Sequence, residues 1–506
     1  MSNHLFDQFR AAMPGIGPDG VLIETPDGPV LSYGGMLDMS GRLANLLVEE
    51  GVEPGDRVAV QVEKSVEALL LYLACVRAGA AFLPLNPAYT DAELEYFLQD
   101  AEPKLMVADP GRVKGVVDLA YAVKATLLTL GPDGQGSLMA GAAEQAAEFE
   151  DVARGPDDLA AILYTSGTTG RSKGAMLSHE NLASNARVLV EAWRFSPDDV
   201  LIHALPIFHT HGLFVATNTV LSAGASMLFL PKFDPGAVIR AMGRGTVMMG
   251  VPTYYVRLLQ EPGLTREAAA GMRLFVSGSA PLLAETHRAF QERTGHAILE
   301  RYGMTETNMN TSNPYDGPRI PGTVGPALPG VDLRIVDPES GRPVADGEIG
   351  MIEVRGPNVF GGYWRMPEKT KAEFREDGFF ITGDLGLIDE HGHVQIVGRG
   401  KDLVISGGFN VYPKEVEAEL DRLDGVIESA VIGVPHPDFG EGVVAVLAVE
   451  EDHRLTEDVV IAALAQRLAR YKLPKRVRFV AELPRNTMGK VQKNRLREDY
   501  RSLFSA

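Results

Sequence analysis

The chain of 506 residues holds a single cysteine, Cys75, so no disulfide can form within it and a cysteine-based metal cluster finds no support. Cys75 lies in the apolar helical pattern "SVEALLLYLACVRAG" and reads as a small buried hydrophobe. Cations are few beside anions: 48 Lys and Arg against 67 Asp and Glu leave a net charge of −19. That balance opposes binding to nucleic acid or to an anionic membrane through the net field. Long apolar runs are missing too. The stretch around Leu70 is broken by Arg77 and Gly79, short of a spanning segment, and the opening "MSNHLFDQFRAAM" has no basic region followed by an apolar core. A cytoplasmic location is the expectation. No fixed-period repeat is evident, and the one biased stretch, "AAEQAAEFEDVARGPDD" at 142–158, reads as an acidic surface connection.

What is present is alternation. "DRVAVQV" reads as a strand, "SVEALLLYLACVRAG" as a helix ended by Gly79, "AAFLPL" as a strand and "TDAELEYFLQDA" as a helix capped by Thr90 or Asp91. Repeated over most of the length, this predicts an α/β fold with largely parallel sheets. From Pro321 short strands punctuated by Gly and Pro predict an antiparallel or barrel-like subdomain over about 321–400. Beyond "VGRGKDLVISGG" the texture changes again. A helix from Pro413 to Gly425, strands "ESAVIGV" and "GVVAVLAVE", a helix "EDVVIAALAQRLARY" and a strand "RVRFV" predict a small α+β domain over 401–506, with the boundary at Gly400 to Asp402.

The stretch "YTSGTTGRSKGAMLS" interrupts a predicted strand at Leu159 with small and hydroxylated residues, then Arg171 and Lys173. It lacks the G-x-x-x-x-G-K-[ST] spacing of a P-loop, and a strand follows Lys173 before Ser178 caps the next helix. Converging backbone N–H groups, hydroxyls and two cations nonetheless suit a polyphosphate; a plain hairpin tip is the other reading.

With "ERYGMTET", "FFITGDLGLID", "VGRGKDLVISGGFNVYPKEVE" and "PRNTMGKVQKNRLR" following in order, this stretch closely resembles the adenylate-forming superfamily of acyl-CoA synthetases, peptide-synthetase adenylation domains and firefly luciferase. The resemblance implies a large N-terminal domain (1–400) of stacked α/β sheets with its small β-barrel subdomain, and a mobile C-terminal domain (401–506). It implies ATP and magnesium as cofactors, coenzyme A as co-substrate, and a carboxylate that attacks the α-phosphorus before a thiol displaces AMP. In that scheme Thr165, Ser166, Gly167, Thr168, Thr169, Gly170 and Lys173 hold the β- and γ-phosphates. Glu306 binds magnesium and Thr305 the α-phosphate; Gly278, Ser279, Ala280, Pro281 and Tyr302 sandwich adenine; Asp384 and Arg399 take the ribose. Lys490 bridges α-phosphate and substrate carboxylate and is a candidate target of a lysine acetyltransferase. Lys401 is the hinge, and Gly407 and Gly408 line the thiol tunnel.

For the acid, "LPIFHTHGLF" offers no carboxylate for an amino-acid ammonium group, and Arg301 stands where many relatives carry a small or neutral residue. The combination of "ERYGMTET", "GSAPL" and "IFHTHGLF" resembles malonyl-CoA synthetases. That implies malonate or methylmalonate, with Arg301 and Ser279 on the distal carboxylate and His209 closing the pocket. Arg301 could instead pair with Glu300 or Glu306. Other readings are a ligase for another short acid, a luciferase-like oxygenase and a carrier-protein ligase. Oligomeric state is not legible.

Overall fold

The computed structural model describes residues 2–13, 15–26, 30–165, 172–406, 409–437, 439–451, 453–468, 470–486 and 489–504. The chain forms two compact units, one of 1–332 with 354–380 and one of 333–353 with 381–506.

The first unit is built on two large sheets. In one, the strands run in the order Asn308–Ser312, Leu299–Met304, Leu274–Ser277, Val247–Gly250, Val200–His203, Ser226–Phe229, Val21–Glu24 and Val30–Ser32. Its interior pairings are parallel and the outermost pairs are antiparallel. The second has the order Gly362–Tyr363, Lys173–Ser178, Leu159–Thr165, Ala81–Pro84, Arg57–Gln61, Leu105–Ala108 and Thr126–Thr129. Strands such as Leu274–Ser277 and Leu105–Ala108 are buried at every position, as parallel strands covered on both faces must be.

The helices begin and end where side chains dictate. Ser65 caps Val66–Ala78 by accepting from the Ala68 N–H, and Gly79, in the left-handed conformation at φ 73°, stops it. Thr90 and Glu93 form a capping box ahead of Asp91–Ala101, and Ser178 and Asn181 form another ahead of His179–Ala192.

Most of a four-stranded sheet of Asp332–Val336, Gly350–Arg355, Phe380–Ile388 and Val394–Arg399 falls in the second unit. That unit also carries a five-stranded sheet of Val404–Ser406, Phe409–Val411, Val426–His436, Gly440–Val449 and Arg476–Val480. Pro413–Leu420 and Glu457–Ala465 pack on the latter through Val416, Leu420, Val460 and Leu464. Both helices are shorter than their sequence patterns predict. The first stops at Leu420, and a turn carries the chain to Gly425 at φ 86°; the second stops at Ala465, before a 3-10 turn at Arg470–Lys472.

Candidate active site

The parallel strands Leu274–Ser277 and Leu299–Met304 pair Ser277 with Glu300, so Gly278 and Arg301 follow one step on, at the carboxyl end of the sheet. Open parallel sheets bind ligands at that end. The Arg301 guanidinium lies against the Gly278 backbone: a Cβ there would stand 2.3 Å from Cζ, so a side chain at 278 would push the guanidinium from its place. Ser279 adopts φ 72°, a rare conformation for a residue with a side chain. Its Oγ lies 3.2 Å from His211 Nδ1. Ala280 is half-buried, Pro281 exposed, and Tyr302 half-buried opposite Thr311.

Arg301 is 3% exposed, and neither Nε nor Nη2 has a hydrogen-bond partner among the described residues. No described carboxylate forms an ion pair with it, which removes the pairing with Glu300 or Glu306. Burial pushes its pKa down to about 9, with Tyr255 a small opposing influence. A guanidinium held this way keeps its charge at neutral pH and has no described carboxylate paired with it.

His211 is the histidine that meets Ser279. It is buried, its Nε2 has no partner among the described residues, and burial, then Arg301, His209 and His203, hold its pKa well below the usual range. It is therefore neutral. It opens a π-helical turn, His211–Thr217, a form that recurs at functional sites. Sequence reasoning passed over it for His209, whose Nδ1 accepts from the His211 backbone N–H at 3.2 Å. The only signal was the second histidine of "FHTHG".

The strand pair 159–165 and 173–178 places Thr165 opposite Lys173, so the glycine-rich stretch joins the two strands. Ser166, Gly167, Thr168, Thr169 and Gly170 lie outside the described residues. Lys173 Nζ is 3.2 Å from Glu373 Oε1 and 4.0 Å from the Tyr363 ring centroid. Tyr363 Oη is 2.7 Å from Glu373 Oε2 and 3.0 Å from Glu306 Oε1. One phenolic proton thus stands between two carboxylates, and burial, then Glu306 and Glu373, push the phenol pKa up. Burial would raise the Glu373 carboxyl, but hydrogen bonds from Lys369 and Tyr363 and the charge of Lys173 outweigh it and lower its pKa. Glu306 is 6% exposed in the turn between Leu299–Met304 and Asn308–Ser312, with half-buried Thr305 beside it. Neither Tyr363 nor Glu373 carried a motif signal; their roles come from folding residue 373 back onto residue 173.

In the second unit Asp384 and Arg399 face each other across adjacent strands, Nε to Oδ1 at 2.6 Å, and Asp384 is 4% exposed. Lys401 sits in the 3-10 turn Gly400–Asp402. Burial pushes its pKa down to about 8, Asp402 opposes this, and Arg399, Lys490 and Arg497 add to the lowering. Lys490 is exposed in a hairpin where its N–H donates to Asn486 Oδ1 at 2.9 Å and its carbonyl accepts from the Asn486 N–H at 2.9 Å. Gly407 and Gly408 lie outside the described residues.

Comparison with known proteins places this geometry. The model of the AMP-binding enzyme family matches residues 18–364, and that of the AMP-binding enzyme C-terminal domain matches 415–490. A malonate–CoA ligase of Arabidopsis thaliana is 34% identical over 555 residues, covering 98% of this chain and 90% of that protein. A feruloyl-CoA synthase of an Amycolatopsis species is 39% identical over 479 residues, covering 94% of each. The crystal structure of ATP-bound MatB from Rhodopseudomonas palustris superposes with a TM-score of 0.98 at 63% identity over 100% of both chains. With its motifs in order and both family models matched, the chain belongs to the AMP-binding, adenylate-forming enzymes and is one of their AMP-forming acyl-CoA synthetases.

Proposed function

We propose that the enzyme ligates malonate, and methylmalonate as a second substrate, to coenzyme A through an acyl-adenylate, giving malonyl-CoA, AMP and pyrophosphate. The observation that carries the choice of acid is Arg301, a guanidinium 3% exposed with two nitrogens unpartnered. A substrate with a second carboxylate supplies the missing anion in a bidentate geometry that a monocarboxylate cannot reproduce. The Arabidopsis relative's name points the same way, while the Amycolatopsis relative is named for ferulate, so the acid is read from the pocket.

A carboxylate is ionised at neutral pH, so the first half-reaction needs positioning and charge neutralisation more than a base. Arg301 and Ser279 hold the distal carboxylate, with His211 or His209 closing the pocket. Lys490 brings the reacting carboxylate to the α-phosphate, Lys173 and the 165–170 stretch take the departing phosphates, and Asp384 with Arg399 orients the ribose. Magnesium would fit Glu306, a carboxylate 6% exposed in its turn, since magnesium commonly takes one or two carboxylates with phosphates and water completing its shell. When bound it neutralises phosphate charge. For the second half-reaction the 401–506 domain turns at Lys401, withdrawing Lys490 and bringing Gly407 and Gly408 to the thiol path. A lysine acetyltransferase acting on Lys490 would silence adenylation alone.

The test is product analysis. Malonate, ATP and magnesium with coenzyme A should yield malonyl-CoA and AMP; pyrophosphate release with no thioester formed would remove the ligase assignment.

A further inference from the structure

Lys64 belongs to none of the motifs above. It follows the strand Arg57–Gln61 of one large sheet and reaches the other. Its Nζ donates to the His203 carbonyl at 2.8 Å, lies 2.9 Å from His203 Nδ1, and stands 4.2 Å from the Phe229 ring centroid. Three donors of the ammonium therefore meet two acceptors and a ring face. No described carboxylate lies within ion-pair distance. The residue keeps some accessible surface, yet burial of the ammonium lowers its pKa well below the usual lysine range.

The other side of His203 fixes the direction of this network. Nε2 is 2.9 Å from the Gly212 carbonyl oxygen. A carbonyl only accepts, so Nε2 carries the proton, Nδ1 accepts, and Lys64 is the donor to it. Gly212 is the second residue of the turn His211–Thr217, directly beside the histidine whose Nδ1 meets Ser279. Thr217 Oγ1 donates to the same carbonyl at 3.0 Å. A continuous chain thus runs from Lys64 through His203 to the backbone that carries His211.

We propose that Lys64 is a positioning and specificity-determining residue of the acid pocket, seating through His203 the turn that sets His211 against Ser279, so that the pocket is held in shape for an acid with a second carboxylate. This rests on the dicarboxylate reading of Arg301.

The experiment compares kcat and KM for malonate, propionate and ATP in the wild type, Lys64→Met and Lys64→Gln. The wild-type arm tests the dicarboxylate reading by itself: no preference for malonate over propionate there ends both that reading and this one. Given that preference, Lys64→Met should raise the malonate KM by about tenfold or more while the ATP KM stays put, and should shrink the malonate-to-propionate ratio. Lys64→Gln, which keeps a donor for His203, should recover kcat, thermal stability and the ratio. Equal losses on both acids, or an unchanged ratio in both variants, would make Lys64 a framework residue and overturn the proposal. Should Lys64→Met fail to fold, Lys64→Gln decides alone: a ratio kept with the wild type's kcat supports the seating role, and a fallen ratio overturns it.

Discussion

A guanidinium enclosed beside a glycine, with no described carboxylate in ion-pair reach, costs stability that an incoming anion returns. Arg301→Met keeps the volume and drops the charge, so the ligand-free variant should be more stable than the wild type by about 1–4 kcal/mol, seen as a higher melting temperature. Malonate turnover should be lost while ATP binding persists. A lower melting temperature would show that Arg301 has partners that satisfy it. Sequence reasoning reached Arg301, Ser279 and Glu306 because each sits inside a contiguous motif. It missed His211, Tyr363 and Glu373 because their roles arise from contacts between distant segments: Lys173 meets Glu373, and Tyr363 joins Glu373 to Glu306. Replacing Glu373 by Gln removes the counter-ion of Lys173, and the ATP KM should change severalfold with the malonate KM unaltered. Unchanged ATP kinetics would make the Lys173–Glu373 pair incidental.

Among the elements, starts were more legible than ends. Ser65, Thr90 and Ser178 announce their helices because a cap is a local hydrogen bond to the next turn. Gly79 marks a stop equally well, since it adjoins the last helical residue. Gly425 did not, because the helix ends at Leu420 and the glycine serves the turn that follows. That turn holds Asp421, which accepts from Ser429 Oγ at 2.6 Å and whose pKa burial raises to about 6, with Glu417 and Glu428 adding to the effect. A carboxyl whose folded-state pKa is raised favours folding when protonated, so its contribution weakens as pH climbs from about 4 to about 6 and stays low above. Asp421→Asn should therefore stabilise the second unit by about 1–2 kcal/mol at pH 8, after allowing for solvent screening, with the gain fading towards pH 4. Chemical denaturation at the two pH values checks this; an equal effect at both would contradict it.

For the whole molecule, alternating patterns foretold parallel α/β sheets but not their strand order, which depends on pairings such as Val21–Glu24 beside Ser226–Phe229, some two hundred residues apart. Nor does the sequence foretell that 333–353 group with 381–506, since that grouping follows from long-range packing. The proposed reaction has two halves with different requirements. Lys490→Ala should cripple adenylation, read as pyrophosphate exchange, and leave the conversion of supplied malonyl-adenylate to malonyl-CoA largely intact; equal damage to both halves would remove the domain-turning scheme. The claim on which the rest depends is that Arg301 reads a second carboxylate. It is tested most directly by competing malonate against propionate and ferulate in the wild type and in Arg301→Met. A preference for malonate of at least about a hundredfold is expected in the wild type, collapsing in the variant. A wild type that favours ferulate or propionate, or a variant that keeps the malonate preference, would contradict it.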